Sequence, residues 1–255
     1  AALAAARELE RDVDPSVFDF LEHLLTGALV AAPRSGFSRT AALRCAMKFQ
    51  QLTGPVMAKG LEDTAFYRYN RLISHNEVGG HPQWLGGSIE DFHAANAERA
   101  RTTPFGLLGT STHDTKRGED VRARLVTLAE IPDEWAAHVK RWRAMLSAER
   151  AALADPNLEY FFYQTLLGSF PASGADDDYR ARVQAAMQKA AREARVHTTW
   201  GRPNQSFEAR LAAFVDAAFR SVTFMDAFTP FQRRVAKAGA SNSLLQTALK
   251  LTVPG

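Results

Sequence analysis

The densest group of ionisable side chains in this sequence lies in residues 111–122. The apolar run 105–109 before it predicts a short strand, and the helical spacing of Val121, Leu125 and Leu128 predicts a helix after it. Catalytic groups of α/β folds concentrate at such strand-to-helix connections. The stretch is therefore the first candidate for a functional site. Its ionisable side chains are His113, Asp114, Lys116, Arg117, Glu119, Asp120 and Arg122.

Within this stretch, the adjacent His113 and Asp114 favour chemistry at a sugar. A carboxylate oriented by a neighbouring imidazole can bind sugar hydroxyls or oppose positive charge that develops at a reacting carbon. The same two residue types also ligate metal in helical phosphohydrolases, so a metal-dependent phosphohydrolase is an alternative. For Glu119 and Asp120 a structural role is an equal competitor, because carboxylates in the first turn of a helix stabilise its positive N-terminus.

A second informative stretch covers residues 50–70. Residues 56–58 predict a very short strand, and charged and amide side chains then lie among aromatic ones. This mixture suits a carbohydrate, since a sugar ring has an apolar face to stack and hydroxyls to hydrogen-bond. An amphipathic helix with ion pairs is the structural alternative. The side chains concerned are Lys59, Glu62, Asp63, Phe66, Tyr67, Arg68, Tyr69 and Asn70.

The composition argues against several kinds of protein. At 255 residues and 46% hydrophobic, the chain can bury a core, and its 31 Lys and Arg barely exceed its 28 Asp and Glu. No basic run is present, so nucleic acid is not an expected partner. No apolar stretch reaches the roughly 18 residues of a membrane span. We therefore expect a cytoplasmic protein that does not bind a membrane. The missing initiator Met and the apolar run near the end favour a piece excised from a longer polypeptide.

The cysteine and histidine pattern predicts no metal site. The single cysteine, Cys45, allows no internal disulfide and is predicted to be a buried small hydrophobe. His75, His81 and His93 lack the paired spacing of metal ligands.

Helix signals dominate the remaining sequence. A second helix, starting at Ser38, is predicted to end at Gly54 and Pro55. Three late helices are predicted at 207–219, 225–238 and 241–251. The polar stretch 196–204 before them predicts a packing corner, with sugar contact through Trp200 as the alternative. Other helix starts are predicted at Asp14, Ser88, Pro132 and Asp155, from capping residues and from proline in the first turn.

Four segments of the sequence together resemble one enzyme family. They read QLTGPVMAKGLEDTAFYRYNRLISHNEVGG (51–80), LLGTSTHDTKRGEDVRARL (107–125), VHTTWGRPNQSFE (196–208) and SNSLLQTALKLTVPG (241–255). Because these long motifs occur in the order found in that family, the chain closely resembles the maltooligosyl trehalose synthases, members of the α-amylase superfamily. The N-terminal part, up to residue 48, matches less distinctly.

The resemblance implies a retaining reaction on α-glucans without metal or organic cofactor. Such an isomerase, acting in trehalose biosynthesis, converts the reducing-end α-1,4 linkage of a maltooligosaccharide into an α,α-1,1 linkage. Besides a nucleophile and an acid/base, this family uses a third carboxylate, preceded by His, that stabilises the transition state. Asp114 after His113 matches this third carboxylate. No stretch resembles the family's nucleophile or acid/base strands, so the chain alone is expected to be inactive. The resemblance assigns substrate binding to Lys59, Glu62, Asp63, Tyr67, Arg68, Lys116 and Arg117.

The expected fold is mainly α with a few short strands: an incomplete part of a (β/α)8 barrel with a large helical insertion. Residues 1–54 are predicted to be a helical segment, residues 55–130 the late barrel strands and loops with the His-Asp motif, and residues 131–255 the helical insertion. The expected partners are a maltooligosaccharide and the remainder of the catalytic barrel. A helical binding module without chemistry of its own is a further alternative.

Overall fold

The computed structural model describes residues 2–31, 36–82 and 86–254. The chain divides into two compact units, residues 1–60 and residues 61–255, and each is described by itself. None of the described helices is both long and apolar enough to span a bilayer.

The described part of the first unit is helical. Helix α2 starts where predicted, because the Asp14 side chain accepts the amide of Ser16 and proline fills the first turn. It ends at Gly27, whose φ of 79° is left-handed. Ser38 caps α3 by accepting the amide of Ala41, also as predicted. The helices are α1 (Ala2–Leu9), α2 (Pro15–Thr26) and α3 (Arg39–Met57), with a 3₁₀ turn at Ala28–Val30.

Helix α3 continues past the predicted stop at Gly54 and Pro55. Pro55 lacks only its own amide hydrogen, and the amide of Ala58 still donates to the carbonyl oxygens of Gly54 and Pro55. The chain then makes one π-helical turn, Ala58–Glu62. The predicted strand at residues 56–58 is therefore wrong, because these residues extend the helix.

Cys45 is exposed, so the prediction that it is buried is wrong. Apolar side chains near it on α3 are exposed as well, including Leu43 and Met47. Only Ala42 and Ala46 of this helix are buried among the described residues. Cys45 therefore lies on an exposed face of α3, although its neighbours in the sequence are apolar.

The second unit is a bundle of helices whose predicted starts are largely confirmed. Ser88 and Asp91 form the predicted capping box, Pro132 opens α6, and the Asp155 side chain accepts the amides of Asn157 and Leu158 at the start of α8. The helices are α4 (Ile89–Thr102), α5 (Glu119–Val126), α6 (Pro132–Met145), α7 (Ser147–Leu153), α8 (Pro156–Ser169), α9 (Asp177–Ala194), α10 (Gln205–Arg220) and α11 (Val222–Thr252). Short 3₁₀ turns lie at Ala65–Tyr67, Ile73–His75 and Thr127–Glu130.

An aromatic core holds this bundle together. Trp142 of α6 is fully buried, and its ring lies 5.4 Å from Phe228 and 5.6 Å from Tyr163, measured between ring centroids. Helix α8 is buried almost all round, as expected for the central helix of a bundle. Burial of such large rings dominates core energetics, so the bundle gives the preceding loops a firm support.

Helix α11 replaces two predicted helices. The sequence predicted helices at 225–238 and 241–251, but a single helix runs from Val222 to Thr252 and includes Pro230. Gly239 lies between the two predicted helices, and within α11 it lets the helix approach α5. A Cβ atom placed on Gly239 would lie 2.7 Å from the Cα atom of Arg124. The glycine therefore serves helix packing rather than a turn.

The described residues contain no β-strand, so the predicted strands and the partial (β/α)8 barrel are wrong. Residues 103–118 join α4 to α5 without regular structure. A strand needs a neighbouring strand to pair its amide and carbonyl groups, and none is present in the described part of the chain. Without such a sheet to cover them, Phe105 and Leu107 are 95% and 97% exposed.

Candidate functional site

Lys116 joins the two polar stretches that the sequence singled out. Its ammonium group, Nζ, donates to Oδ1 of Asp63 at 2.6 Å and to Oδ1 of Asp114 at 3.2 Å. The side chains of Lys116 and Asp63 are only 5% and 11% exposed, whereas that of Asp114 is 47% exposed. Asp114 is therefore the member of the cluster that a ligand can reach.

The electrostatics of the Asp63–Lys116–Asp114 cluster keep Lys116 charged. Burial alone would lower the pKa of the Lys116 ammonium, but the hydrogen bonds to Asp63 and Asp114, and their negative charges, raise this pKa above its usual value. A cation held between two carboxylates keeps them close without mutual repulsion. The cluster thus presents an oriented carboxylate, Asp114, beside a fixed positive charge.

The loop that carries Asp114 is fixed by side-chain hydrogen bonds to its backbone. Within the loop, the amide of Thr112 donates to Oγ1 of Thr115 at 2.6 Å. From outside the loop, Glu77 accepts the amide of Lys116 at 2.5 Å and that of Arg117 at 3.0 Å. Such bonds take the place of ladder bonds in a segment without regular structure.

Arg117 anchors the same loop to the helical core. Its guanidinium lies 5.3 Å from the ring centroid of Phe161 on α8, and its Nη1 donates to the carbonyl oxygen of Asn76 at 3.3 Å. Burial lowers the pKa of the Arg117 guanidinium, and the nearby Tyr67 and Glu77 oppose this effect. The side chain therefore points into the protein, beneath the loop.

The segment around Asp63 is held in a matching way. Asn76 is fully buried, and its Nδ2 donates to the carbonyl oxygens of Phe66 at 2.9 Å and Tyr69 at 2.5 Å. Oε1 of Glu62 accepts the amide of Gly79 at 3.0 Å. The turn of residues 75–80 thus contacts the Asp63 segment on one side and the Asp114 loop on the other.

Glu119 marks the point where the loop enters α5. It is the first residue of the helix and accepts the hydroxyl of Thr110 at 2.6 Å. This hydrogen bond, the residue's own amide and Ser111 lower the pKa of Glu119 to about 2. Arg122 donates to the carbonyl oxygen of Thr110 from the next turn. Glu119 and Arg122 therefore fix the loop end to the helix.

Comparison with known proteins gives a consistent result, although no family model matches the chain. The sequence is 38% identical over 211 residues to a Mycobacterium tuberculosis protein named, provisionally, as a maltooligosyl trehalose synthase, covering 82% of the chain and 27% of that protein. The crystal structure of a hypothetical maltooligosyl trehalose synthase from Sulfolobus tokodaii superposes with a TM-score of 0.77 at 36% identity, covering 93% of the chain and 35% of that structure. Maltooligosyltrehalose synthase from Arthrobacter ramosus gives a TM-score of 0.72 at 37% identity, with 92% and 31% covered.

The chain is homologous to a segment of the maltooligosyl trehalose synthases. The family resemblance inferred from the motifs is therefore confirmed. The chain spans only about a quarter to a third of the length of these synthases, between 27% and 35% of the three compared above.

Not every residue that the resemblance to maltooligosyl trehalose synthases selected lies at the cluster. Tyr67 is buried, and its hydroxyl accepts from Lys189 of α9 at 3.2 Å. Nε of Arg68 donates to the carbonyl oxygen of Ala194 at the end of α9, at 2.5 Å. Both residues line a cavity of about 260 Å³ beside α9. Lys59 belongs to the other unit and is exposed.

His113 does not orient Asp114. The histidine is exposed and makes no hydrogen bond to any residue that the structure describes. Lys116 is instead the hydrogen-bond partner of Asp114. The position of His113 therefore differs from the arrangement that the sequence suggested, in which an imidazole holds the carboxylate.

Glu77 and Asn76 are the residues of the site that sequence reasoning missed. They lie in the first maltooligosyl trehalose synthase motif, but the sequence analysis assigned no role to either residue. The pair of glycines at 79 and 80 was the available signal. A Cβ atom on Gly80 would lie 2.7 Å from the carbonyl oxygens of both His75 and Glu77, so the turn closes too tightly for any other residue.

The third segment shared with these synthases, residues 196–208, forms a corner between α9 and α10. Glu208 accepts two hydrogen bonds from Arg192, at 2.8 and 2.6 Å, and one from the hydroxyl of Thr198 at 2.6 Å. These contacts, the bonds from Arg192 foremost, lower the pKa of Glu208 to about 2. Trp200 is 56% exposed, with the Arg192 guanidinium 4.9 Å from its ring centroid. The contacts favour a packing role for this segment.

Proposed function

We propose that this chain is the segment of a maltooligosyl trehalose synthase that supplies the transition-state carboxylate and part of the reducing-end pocket. The observation that carries this proposal is the Asp63–Lys116–Asp114 cluster. Lys116 and Asp114 come from one family-like motif and Asp63 from another, and one ammonium group binds both carboxylates. Motifs that are distant in sequence and meet at a half-exposed carboxylate indicate a shared site rather than two surface loops.

The reaction is an intramolecular transglucosylation. The C1–O4 bond to the reducing-end glucose breaks as an enzyme carboxylate attacks C1, and an acid protonates the departing oxygen. The anomeric hydroxyl of the same glucose then attacks C1, loses its proton to the same group and frees the carboxylate. No water is consumed, so substrate and product are isomers.

In this reaction Asp114 opposes the positive charge that develops at C1 in both transition states. A fixed anion is most effective when it is already in place and needs no reorganisation. Lys116 keeps Asp114 in place through a hydrogen bond of 3.2 Å, and Asp63 in turn holds Lys116 from the buried side at 2.6 Å. The nucleophile and the acid/base are supplied by the rest of the polypeptide, which is the partner that this segment requires. By itself, the segment turns over no maltooligosaccharide.

We assign the reducing-end pocket to the residues around the same cluster. Asp114 and Glu62 offer charged hydrogen-bonding groups to glucose hydroxyls, while Lys116 and Asp63 support Asp114 from the buried side. Lys59 remains a predicted contact from the family resemblance. Tyr67, Arg68 and Arg117 form the wall behind the pocket, because their polar ends contact α9 and the Asn76 carbonyl. A closed wall favours rearrangement over hydrolysis, since water must not reach the glycosyl-enzyme.

Assay of the complete polypeptide that contains this chain tests the proposal. With maltopentaose, we expect reducing ends to disappear without a matching release of glucose, and we expect a non-reducing isomer of the substrate by mass spectrometry. A hydrolase would instead create reducing ends. If the number of reducing ends stays constant while the protein is folded, the proposal is contradicted.

No observation favours the alternatives. An HD-type phosphohydrolase needs several His and Asp ligands directed at one point, and no three His, Cys, Asp or Glu side chains do so in residues 2–31, 36–82 and 86–254. A helical module without chemistry would not need a buried cation beneath a half-exposed carboxylate, which costs desolvation.

A further inference from the structure

Glu77 holds the backbone on which the Asp63–Lys116–Asp114 cluster depends. Its Oε1 accepts the amide of Lys116 at 2.5 Å, and its Oε2 accepts the amide of Arg117 at 3.0 Å. These amides lie 39 and 40 positions away in sequence, so the contacts are tertiary and not part of a local turn. One carboxylate therefore sets the position and the tilt of two successive peptide groups.

Glu77 is itself held in place from both sides. The preceding residue, Asn76, is fully buried and binds the backbone of Phe66 and Tyr69. The turn after it closes around Gly80, where a Cβ atom would lie 2.7 Å from the carbonyl oxygen of Glu77. With its backbone fixed in this way, Glu77 connects the segment of Asp63 to the loop of Asp114.

We propose that Glu77 is a positioning residue, which places the Lys116 ammonium between Asp63 and Asp114 by binding the amides of Lys116 and Arg117. This inference rests on the proposed function, since its consequence is measured in transglucosylation. Glu77 needs no contact with the sugar. It acts through Lys116 and, by that route, on the orientation of Asp114.

The substitution Glu77→Gln probes this role directly. It replaces one accepting oxygen by an NH₂ group, which then faces a backbone N–H donor, so one amide loses its acceptor and the loop must shift. In the complete polypeptide we expect kcat for isomerisation of maltopentaose to fall by roughly 10- to 100-fold, because a misplacement of about 1 Å can cost 10²-fold. We expect KM to change by less than about threefold, since the effect concerns the transition state. The share of glucose released by hydrolysis should rise.

A double-mutant cycle separates positioning from a general structural role. If Glu77 acts through Lys116, then Glu77→Gln combined with Lys116→Met should have the kcat of Lys116→Met alone. Multiplied losses in the double variant would overturn the proposal, and so would a kcat for Glu77→Gln within about threefold of the parent. Glu90→Gln is the matched control, because the Glu90 side chain is exposed on α4 and makes no hydrogen bond to a described residue. Its kcat should equal that of the parent.

Amide hydrogen exchange gives a reading that does not depend on activity. In the complete polypeptide, Glu77→Gln should accelerate exchange in the peptide that contains Lys116 and Arg117, with little change in α8. Unchanged exchange there would overturn the inference even if the enzyme is active. If the parent protein yields no non-reducing product, the proposed function fails, while exchange still decides the role of Glu77.

A second variant covers the case in which Glu77→Gln does not fold. Glu77→Asp keeps the charge but retracts the carboxylate by one C–C bond, about 1.5 Å, so it cannot reach both amides. The inference then requires faster exchange at Lys116 and Arg117 and a lower kcat in this variant. Parent-like exchange and kcat would overturn it.

Discussion

The ammonium of Lys116 lies 2.6 Å from the carboxylate of Asp63, although 53 positions separate the two residues. The side chains are 5% and 11% exposed, so the ion pair is nearly removed from water. The second carboxylate on Lys116, Asp114, is 47% exposed. The two acidic residues of one cluster thus have different surroundings, and we expect this difference to separate a structural role for Asp63 from a chemical role for Asp114.

The first prediction concerns stability. Asp63→Asn should lower the free energy of unfolding by about 1.5 to 3 kcal/mol, because it weakens a buried hydrogen bond between charged groups. Asp114→Asn should cost less than about 1 kcal/mol, because an exposed ion pair contributes little. Urea unfolding of both variants of the complete polypeptide, with unchanged m-values, measures the difference. Equal losses would mean that the two carboxylates share the same structural role.

The second prediction concerns the catalytic rate. Although Asp114→Asn should cost little stability, it should cost most of the rate. Asp114→Asn keeps the size of the side chain but removes the charge that opposes the developing cation. We therefore expect kcat for maltopentaose to fall by at least about 10²-fold, or about 2.7 kcal/mol, with KM little changed. Near-normal kcat in this variant would remove Asp114 from the mechanism.

Glu119→Gln is the control for that measurement. Glu119 lies five positions further along the chain, at the start of α5, and its partner is the hydroxyl of Thr110 in the preceding loop. The variant should retain kcat and lose only a little stability, because a charge at a helix N-terminus near the surface contributes a small amount. A collapse of kcat with the fold intact would place Glu119 in the reaction.

Helix starts could be predicted from the sequence, while strands could not. Capping is a local effect, so Ser38, Ser88 and Asp155 could be recognised without knowledge of the rest of the molecule. A strand depends on a partner from another part of the chain, and the apolar run at 105–109 has none among the described residues. The two separate helices predicted at 225–238 and 241–251 were wrong for a related reason, since Gly239 between them serves contact with Arg124, which is distant in sequence.

The candidate site was predicted in its charged members but not in its support. Lys116, Asp63 and Asp114 stood out by residue type and motif. Glu77 did not, because its task is to bind backbone amides far away in sequence, and nothing in the local pattern shows those amides. Arg68 stood out by its charge, but its nearest hydrogen-bond acceptor is the carbonyl oxygen at the end of α9.

The third prediction follows from that position of Arg68. Arg68→Met keeps much of the side-chain length but removes the hydrogen bond to Ala194. We expect a loss of about 0.5 to 1.5 kcal/mol in the free energy of unfolding, with KM for maltopentaose unchanged. Steady-state kinetics and urea unfolding of the complete polypeptide decide the matter. A KM raised tenfold without loss of stability would assign Arg68 to the sugar rather than to the wall.

The fourth prediction is a pH dependence caused by Glu208. Its pKa in the folded state is lowered from 4.5 to about 2. A lowered pKa stabilises the fold fully above pH 4.5, and this contribution is lost as the pH falls from there toward 2. Glu208→Gln should therefore cost about 1.5 to 3 kcal/mol at every pH from 7 down to about 4.5, and progressively less as the pH falls below that.

Urea unfolding between pH 7 and pH 2.5 measures this difference between the parent and Glu208→Gln. Glu130→Gln is the control, because the Glu130 side chain is exposed and makes no hydrogen bond to a described residue. It should differ little from the parent across the range. A difference for Glu208→Gln that stays constant as the pH falls would show that the hydrogen bonds, not the charge, carry the effect.

The last prediction concerns the contact between α5 and α11. By helix propensity alone, Gly239→Ala should stabilise α11 by about 1 kcal/mol. The new Cβ atom would, however, lie 2.5 Å from Cγ and 2.7 Å from Cα of Arg124. Since the Arg124 backbone cannot yield without moving α5, we expect a net destabilisation of about 1 to 3 kcal/mol.

The neighbouring exposed Ala240 provides the control, because Ala240→Gly reports helix propensity without a clash and should cost about 1 kcal/mol. Thermal and urea unfolding of the two variants then test the packing directly: a stabilised Gly239→Ala variant would mean that α5 and α11 do not approach each other as closely as this structure has them.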